Sequence, residues 1–250
     1  MSATAPGTLR RWWRAQQYEP GAAGLFVNPF YFARRGLRDG LGGFLPALGG
    51  EVLDVGCGRK PYAHLTRATR YVGVDIDTPA TRALAAADHY YDGRTLPFAD
   101  ASFDAVLCSQ VLEHVFTPAE FLRELHRVLR PGGVLLLATP FVWDEHEQPQ
   151  DFGRYSSFGL PHLLREAGFV LEAGHKTCAD FRAVAQLASG YLYKVTRTNS
   201  TFLNVIVQLG LIAPTNLAGG LLAWLLPANP DLYLDNIVRA RKRGPADLSP

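Results

Sequence analysis

The sequence predicts an α/β fold in which a parallel sheet is covered by helices on both faces, and two observations predict it. From residue 49 onward short apolar runs alternate with helix-length segments, the order that crossover connections between parallel strands require. The glycine turn and the polar loops that carry candidate chemistry follow the ends of those runs, where such sheets hold their ligands. At 250 residues the chain is long enough for one generous domain or two small ones.

Composition narrows the class. Hydrophobic residues make up 48% and charged ones 19%, an ordinary globular balance. A net charge of +2 gives no case for a nucleic-acid partner. The three cysteines, Cys57, Cys108 and Cys178, are too few and too scattered for a disulfide framework or a zinc cluster, and they fit a reduced, cytoplasmic setting. Arg10, Arg11 and Arg14 stand beside Trp12 and Trp13, but no apolar core or small-residue cleavage site follows, so no secretory signal is expected.

The elements follow in order. Residues 1–28, rich in Gly, Ala and Pro, read as a loosely packed leader or a surface arm. Phe32, Leu37, Leu41, Phe44 and Leu48 recur at mostly three- to five-residue spacing, an amphipathic helix interrupted by glycines. Val52–Val55 is a first strand, and Pro61–Thr66 opens a helix with proline in its first turn. Tyr71–Val74 is a second strand, Pro79–Ala87 a short helix and His89–Tyr91 a weak third strand. Phe103–Cys108 is a fourth strand, and the helix Pro118–Leu129 carries Phe121, Leu122, Leu125, Val128 and Leu129 on one face. Arg130-Pro-Gly-Gly133 stops that helix. Val134–Ala138 is a wholly apolar fifth strand, Gly159–Ala167 a helix, Phe169–Gly174 a sixth strand and Tyr233–Ala240 a last one.

The first βα turn, Glu51-Val-Leu-Asp-Val-Gly-Cys-Gly58, is the most informative stretch. Gly56 and Gly58 let the backbone turn tightly and approach a ligand. Asp75 ends the next strand about 20 residues on, where a nucleotide ribose presents its hydroxyls. The pair alone implies an adenosine-containing ligand. A dinucleotide fingerprint wants a third glycine at position 61, where this chain has Pro61, and no P-loop sequence is present. Lys60 remains as a residue that attracts an anion.

With Leu53-Asp-Val-Gly-Cys-Gly58, Gly73-Val-Asp-Ile-Asp77, Leu96-Pro-Phe-Ala-Asp-Ala-Ser-Phe-Asp104, Ser109-Gln-Val-Leu-Glu-His114 and Leu129-Arg-Pro-Gly-Gly133, over roughly residues 50–175, the chain resembles the class I S-adenosylmethionine-dependent methyltransferases of single-domain, small-molecule type. Lys60, Pro61 and Tyr62 depart from the pattern, where many members have a third glycine. The resemblance implies a Rossmann-like, doubly wound, seven-stranded sheet, mostly parallel with an antiparallel last strand, and a helical insertion before that strand. It implies S-adenosylmethionine as cofactor, S-adenosylhomocysteine as product, and a cofactor site drawn from Asp54, Gly56, Cys57, Gly58, Tyr62, Asp75, Ile76, Asp92, Gly93, Ser109 and Gln110. Asp54 would lie near the cofactor ammonium, Asp75 would accept from both ribose hydroxyls, and Asp92 with Gly93 would meet the adenine amino group. Ser109 and Gln110 would border the methionine moiety. Asp77 reads equally well as a helix N-cap, and Asp92 as a plain turn aspartate.

Candidates for chemistry at the acceptor are Glu113 and His114 after the fourth strand, then His146, Asp151, Arg154 and Tyr155 after the fifth. The second set matches, with Pro149, a pattern in bacterial members of the family. A histidine beside carboxylates suits a general base near neutral pH, while Asp151 and Arg154 read equally well as a pair that holds the loop. His146 with Glu145 and Glu147 is a local run without a second histidine, so no metal is expected.

From Thr198 to Pro230 there is no ionisable side chain. The apolar segments Phe202–Ala213 and Leu217–Leu226 flank Pro214-Thr-Asn216, and each is too short to cross a bilayer. A helical insertion that roofs the site or forms a homodimer contact is expected, with a hairpin lying on a membrane as the sharper alternative. The domain expectation is an N-terminal arm and helical cap over residues 1–48, a methyltransferase core over 49–180, the apolar insertion over 181–230, the last strand over 231–243 and a tail over 244–250. The functional expectation is methyl transfer to a small or lipid-like acceptor, at oxygen or carbon, by a cytoplasmic protein with peripheral membrane contact. An inactive cofactor-binding partner subunit is the alternative, and Pro61 disfavours a nicotinamide oxidoreductase.

Overall fold

From the N-terminus, the computed structural model, which describes residues 7–244, begins with three helices: α1 (Thr8–Tyr18), α2 (Gly24–Val27) and α3 (Tyr31–Gly42). The first stands where a loose leader was expected. Its glycines and prolines lie outside Thr8–Tyr18, a stretch that contains neither, so nothing interrupts the helix. The side chains of Arg10 and Arg14 lie outside the described residues.

The alternating segment then forms β1 (Gly49–Val55), β2 (Arg67–Ile76), α4 (Pro79–Leu84), β3 (His89–Tyr91), β4 (Phe103–Ser109), α5 (Pro118–Val128), β5 (Leu129–Pro140), α6 (Gly159–Glu166) and β6 (Phe169–Lys176), with β7 (Asp235–Lys242) at the end of the chain. One seven-stranded sheet results, in the order β3-β2-β1-β4-β5-β7-β6. The β1–β2, β1–β4, β2–β3 and β4–β5 pairs are parallel, and β7 runs antiparallel to both β5 and β6. This is the Rossmann-like arrangement expected, with its antiparallel last strand. Consecutive residues of the central strands, Val52 with Leu53 and Leu135 with Leu136, are all fully buried, so both faces of those strands are covered. Phe121, Leu122, Leu125 and Val128 of α5 and Leu160 and Leu164 of α6 join that core.

Local differences have local causes. Where Pro61–Thr66 was expected to open a helix, only a 3-10 turn, Ala63–Leu65, forms, because β2 already pairs at Arg67 with Gly49 of β1. Arg130–Gly133 ends α5 but is absorbed into β5, through a register shift against β4.

The chain divides into two compact units, Gly40–Lys176 with Asp235–Pro250, which holds the sheet, and Met1–Asp39 with Thr177–Leu234, which is helical. In the helical unit, α7 (Phe181–Thr196) is capped by Asp180, whose carboxylate accepts from the Arg182 amide at 2.9 Å. α8 (Thr201–Val207), a π-helical turn (Gln208–Ile212) and α9 (Ala213–Leu225) follow. They make one helix of 25 residues, not the two short segments expected. The wider π turn ends just before Pro214, and it accommodates a residue that lacks a donor and crowds the preceding turn. A Cβ on Gly219 would lie 2.2 Å from the Ala185 Cβ, so α7 and α9 touch closely there. Buried amides complete the packing: Asn216 accepts from the Ser189 hydroxyl at 2.7 Å and donates to the Leu25 carbonyl at 3.0 Å, and Gln186 donates to the Pro29 carbonyl at 2.9 Å.

Candidate active site

The carboxyl ends of β1 and β4 lie side by side where the strand order reverses, the position at which open parallel sheets bind ligands. Gly56 (φ +70°) and Gly58 (φ +49°) are both left-handed, for different reasons. A Cβ on Gly56 would lie 2.3 Å from a Val111 methyl, whereas nothing lies within 4 Å of one on Gly58. One glycine is needed for packing, and the other leaves an open face. The Gly58 amide donates to Asp75 Oδ2 at 3.1 Å. Asp54 is buried and accepts from the Tyr71 hydroxyl at 2.7 Å. Burial pushes its carboxyl up to about 7, against the pull of the Tyr71 hydrogen bond and the Lys60 charge. Burial likewise raises Asp75 and lifts the Cys57 thiol to about 12, so Cys57 is a packing residue in the turn.

Lys60 does not serve as an anion site. Its ammonium is 2.6 Å from Asp88, and Asp88 also accepts from the Gly73 amide at 2.7 Å. Tyr62 is half-buried at the head of the 3-10 turn. Asp77 is not the N-cap of α4: Thr78 caps it in a capping box, and Asp77 instead pairs with Arg82 through two bonds of 2.6 and 2.8 Å. Asp92 is exposed after β3, with Oδ1 accepting the Arg94 and Thr95 amides at 2.9 Å each. Gly93 beside it approaches Ile76, whose methyl would lie 3.3 Å from a Cβ there. Ser109 ends β4, and Gln110 (φ +58°) is tied by its side chain to Asp235 at 3.2 Å.

A second group lies beyond β4. Glu113 is fully buried, and its Oε2 accepts from the Thr139 hydroxyl at 3.3 Å while Oε1 has no partner. Burial pushes this carboxyl up to about 8. His114 Nε2 stands 3.9 Å from Glu113 Oε1 and 3.8 Å from Glu147 Oε2, and the His146 ring packs edge-on against the His114 ring at 4.8 Å. Two of the residues expected at the acceptor have partners within the chain. Asp151 takes both Arg154 amino groups at 2.5 and 2.8 Å and the His146 amide at 3.0 Å, and the guanidinium holds its carboxyl well below the usual range. Tyr155 packs against the core, and its carbonyl accepts from Asn236 at 2.6 Å. The turn after β4 borders the cofactor turn, because Val111 packs on Gly56 just before Leu112–His114.

The family described as methyltransferase domain matches residues 53–137. A probable S-adenosylmethionine-dependent methyltransferase of Mycolicibacterium smegmatis is 41% identical over 137 residues, 50% of this chain and 53% of that one. An uncharacterized methyltransferase of Mycobacterium leprae is 34% identical over 149 residues, 54% of this chain and 53% of that one. Residues 53–137 are a class I S-adenosylmethionine-dependent methyltransferase domain. The chain spans about half the length of the curated relatives it matches. Solved structures agree on the fold: an S-adenosylmethionine-dependent methyltransferase from Mesorhizobium loti (TM-score 0.56, 19% identity, 84% of this chain and 100% of that one), and Haemonchus contortus phosphoethanolamine N-methyltransferase 2 in complex with S-adenosylmethionine (TM-score 0.55, 18% identity, 97% and 61%).

Within the methyltransferase domain the sheet gathers Asp54, Gly56, Cys57, Gly58, Asp75, Ile76 and Ser109 at the ends of three strands, with Asp92 and Gly93 beside them after β3. These residues, with the open face at Gly58, fit a ligand that carries a ribose and an ammonium group. Tyr71, which holds Asp54, and Asp88, which holds Lys60, went unread in the sequence. Nothing in a strand-forming tyrosine or a loop aspartate signals its partner on another strand.

Proposed function

We propose that the chain transfers the methyl group of S-adenosylmethionine to a small, lipid-like acceptor, at oxygen or carbon. The observation that carries the reading is that two groups share one end of the sheet: carboxylates suited to the cofactor, Asp54 and Asp75, at the ends of β1 and β2, and the cluster of buried Glu113 with half-buried His114 and His146, which begins in the turn after β4, the strand paired with β1. In this reading Asp75 accepts from the ribose hydroxyls, Asp54 faces the ammonium, and Gly58 gives the cofactor backbone access. The sulfonium methyl needs an aligned nucleophile about 3–3.5 Å away and a dry site. The acceptor's electron pair forms the new bond, the carbon–sulfur bond breaks, and sulfur keeps its electrons as the neutral thioether of S-adenosylhomocysteine. An oxygen or carbon acceptor also loses a proton, and the cluster is the polar group placed to promote that loss.

The lipid-like character rests on the helical unit. Phe202, Leu209, Leu221 and Trp224 of the long helix are exposed, Trp224 by 80%, as are Leu187, Tyr191 and Val195 of α7. Trp12 and Trp13 of α1 are exposed as well, beside the exposed Arg11. Exposed apolar area on this scale marks an interaction surface, and exposed aromatic and basic residues elsewhere in the same unit suit a bilayer interface. The helix Thr201–Leu225 is long and apolar enough to cross a membrane by length and composition. However, Lys176 at the end of β6 pairs with Asn236 near the start of β7, so the chain returns to the sheet it left, and the reading is a helix that lies on the membrane.

The test incubates full-length protein and radiolabelled S-adenosylmethionine with lipid and aqueous extracts. Label transferred to the lipid extract is the expected result. Label in the aqueous extract alone would leave a methyltransferase without the lipid preference. S-adenosylhomocysteine binding with no transfer to either would support an inactive partner subunit.

A further inference from the structure

The geometry points to a divalent transition-metal site formed by Glu113, His114 and His146. Each offers one ligand atom, and the three atoms lie within 4.8 Å of one another. Ligands about 2.0–2.2 Å from one tetrahedral ion stand roughly 3.4 Å apart, so the donor atoms would close by up to about 1.4 Å through rotamer adjustment. Two further observations point to a cation. Glu113 Oε1 is fully buried, has no partner, and stands 3.9 Å from His114 Nε2. A buried acceptor left without a hydrogen-bond donor is destabilising, and a bound cation would remove that penalty. The second is the orientation of both imidazoles. His114 Nδ1 is 2.6 Å from the Gln150 carbonyl and His146 Nδ1 is 3.3 Å from the Asp144 carbonyl, while Asp151 Oδ2 accepts the His146 backbone amide at 3.0 Å. Acceptors at both Nδ1 atoms hold the protons there and leave the Nε2 lone pairs for a metal, as outer-sphere partners of metal-binding histidines do. Asp151, fixed by Arg154, then acts as a positioning residue.

Two imidazoles and one carboxylate select a zinc-like or iron-like ion over magnesium or calcium. They also leave coordination positions for an acceptor oxygen, a consequence that rests on the methyl-transfer reading. A bound ion would lower the acceptor's pKa, and the histidines would serve as ligands in place of a base. The local run around His146 hides this site in the sequence, because the second histidine comes from the turn after β4.

The test uses full-length protein stripped with EDTA and titrated with cobalt(II) chloride, followed by its ligand-field absorption, and with zinc chloride against a chromophoric chelator. One equivalent bound with a tetrahedral or five-coordinate cobalt spectrum is expected. Affinity should fall about a hundredfold in His146→Ala and in Glu113→Gln, and about tenfold in Asp151→Asn. S-adenosylhomocysteine titration of each variant without metal reports folding and the cofactor site separately. The inference is overturned by the absence of stoichiometric binding to the wild-type protein, or by unchanged affinity in both His146→Ala and Glu113→Gln. Should a variant lose S-adenosylhomocysteine binding as well, the wild-type stoichiometry and spectrum decide.

Discussion

The sheet-bearing unit and the helical unit use the same apolar side chains in opposite ways. Leu107, Leu122, Leu136 and Leu137 are completely buried, whereas Leu203, Leu209, Leu217 and Leu221 are 45–56% exposed. In the first unit apolar area is removed from water, where it contributes about 25 cal/mol per Å². In the long helix of the second unit the buried residues are Ile212, Ala213, Asn216 and Gly219, a stripe held by small residues and amides. Hydrophobicity in the first region stabilises the fold. In the second it remains available for something outside the chain.

The largest effect that would break this contrast is on stability. Leu122→Ala should cost about 2–5 kcal/mol in denaturant unfolding, while Leu221→Ala should stay within about 0.5 kcal/mol; equal losses would mean that the helical surface is covered. Next comes the cofactor. Removing the Asp75 carboxylate deletes acceptors for charge-assisted bonds worth about 1.5–3 kcal/mol each, so Asp75→Ala should weaken S-adenosylhomocysteine binding about a hundredfold by calorimetry and leave vesicle binding unchanged. Conversely, Leu221→Glu with Trp224→Glu should reduce sedimentation with anionic vesicles about tenfold or more and leave cofactor affinity unchanged. A wild-type protein that ignores vesicles but dimerises in solution would assign that surface to a second copy.

The smallest effect is a pH dependence. Burial puts the Asp54 carboxyl at about 7 in the ligand-free protein, above its unfolded value, so the carboxylate fills only as pH rises through 7. An ammonium-bearing ligand prefers the carboxylate, and its affinity should therefore fall about tenfold between pH 8 and pH 6, by the linkage of protonation to binding. Asp54→Asn should flatten that dependence. A flat wild-type profile would show that Asp54 does not face the ammonium.

Much of the fold was legible because strand and helix periods write themselves into the chain. His89–Tyr91 and the span of α5 follow directly from local pattern, and the antiparallel last strand was implied by the family resemblance. The π turn before Pro214 was not legible, since proline reads as a break unless the preceding turn can widen. In the candidate site Asp75 and Gly58 were readable from spacing, and Asp54 from the family resemblance. The partner of Lys60 was not readable, because Asp88 sits just before β3, distant in sequence. The approach of His146 to His114 was missed because the loop between them closes through Asp151, Arg154 and the Gln150 carbonyl.

By itself the sequence determined the alternating architecture and the adenosine-type turn, because both depend on neighbours along the chain: hydrophobic period, glycine at left-handed positions, a carboxylate one strand later. Only the tertiary structure decided which carboxylates are buried and which are bonded, which of two adjacent glycines faces open space, and that Glu113 keeps an unpartnered oxygen beside two oriented imidazoles. Desolvation, hydrogen-bond partners and ligand geometry are set by residues distant in sequence, and their energies depend on separation in space.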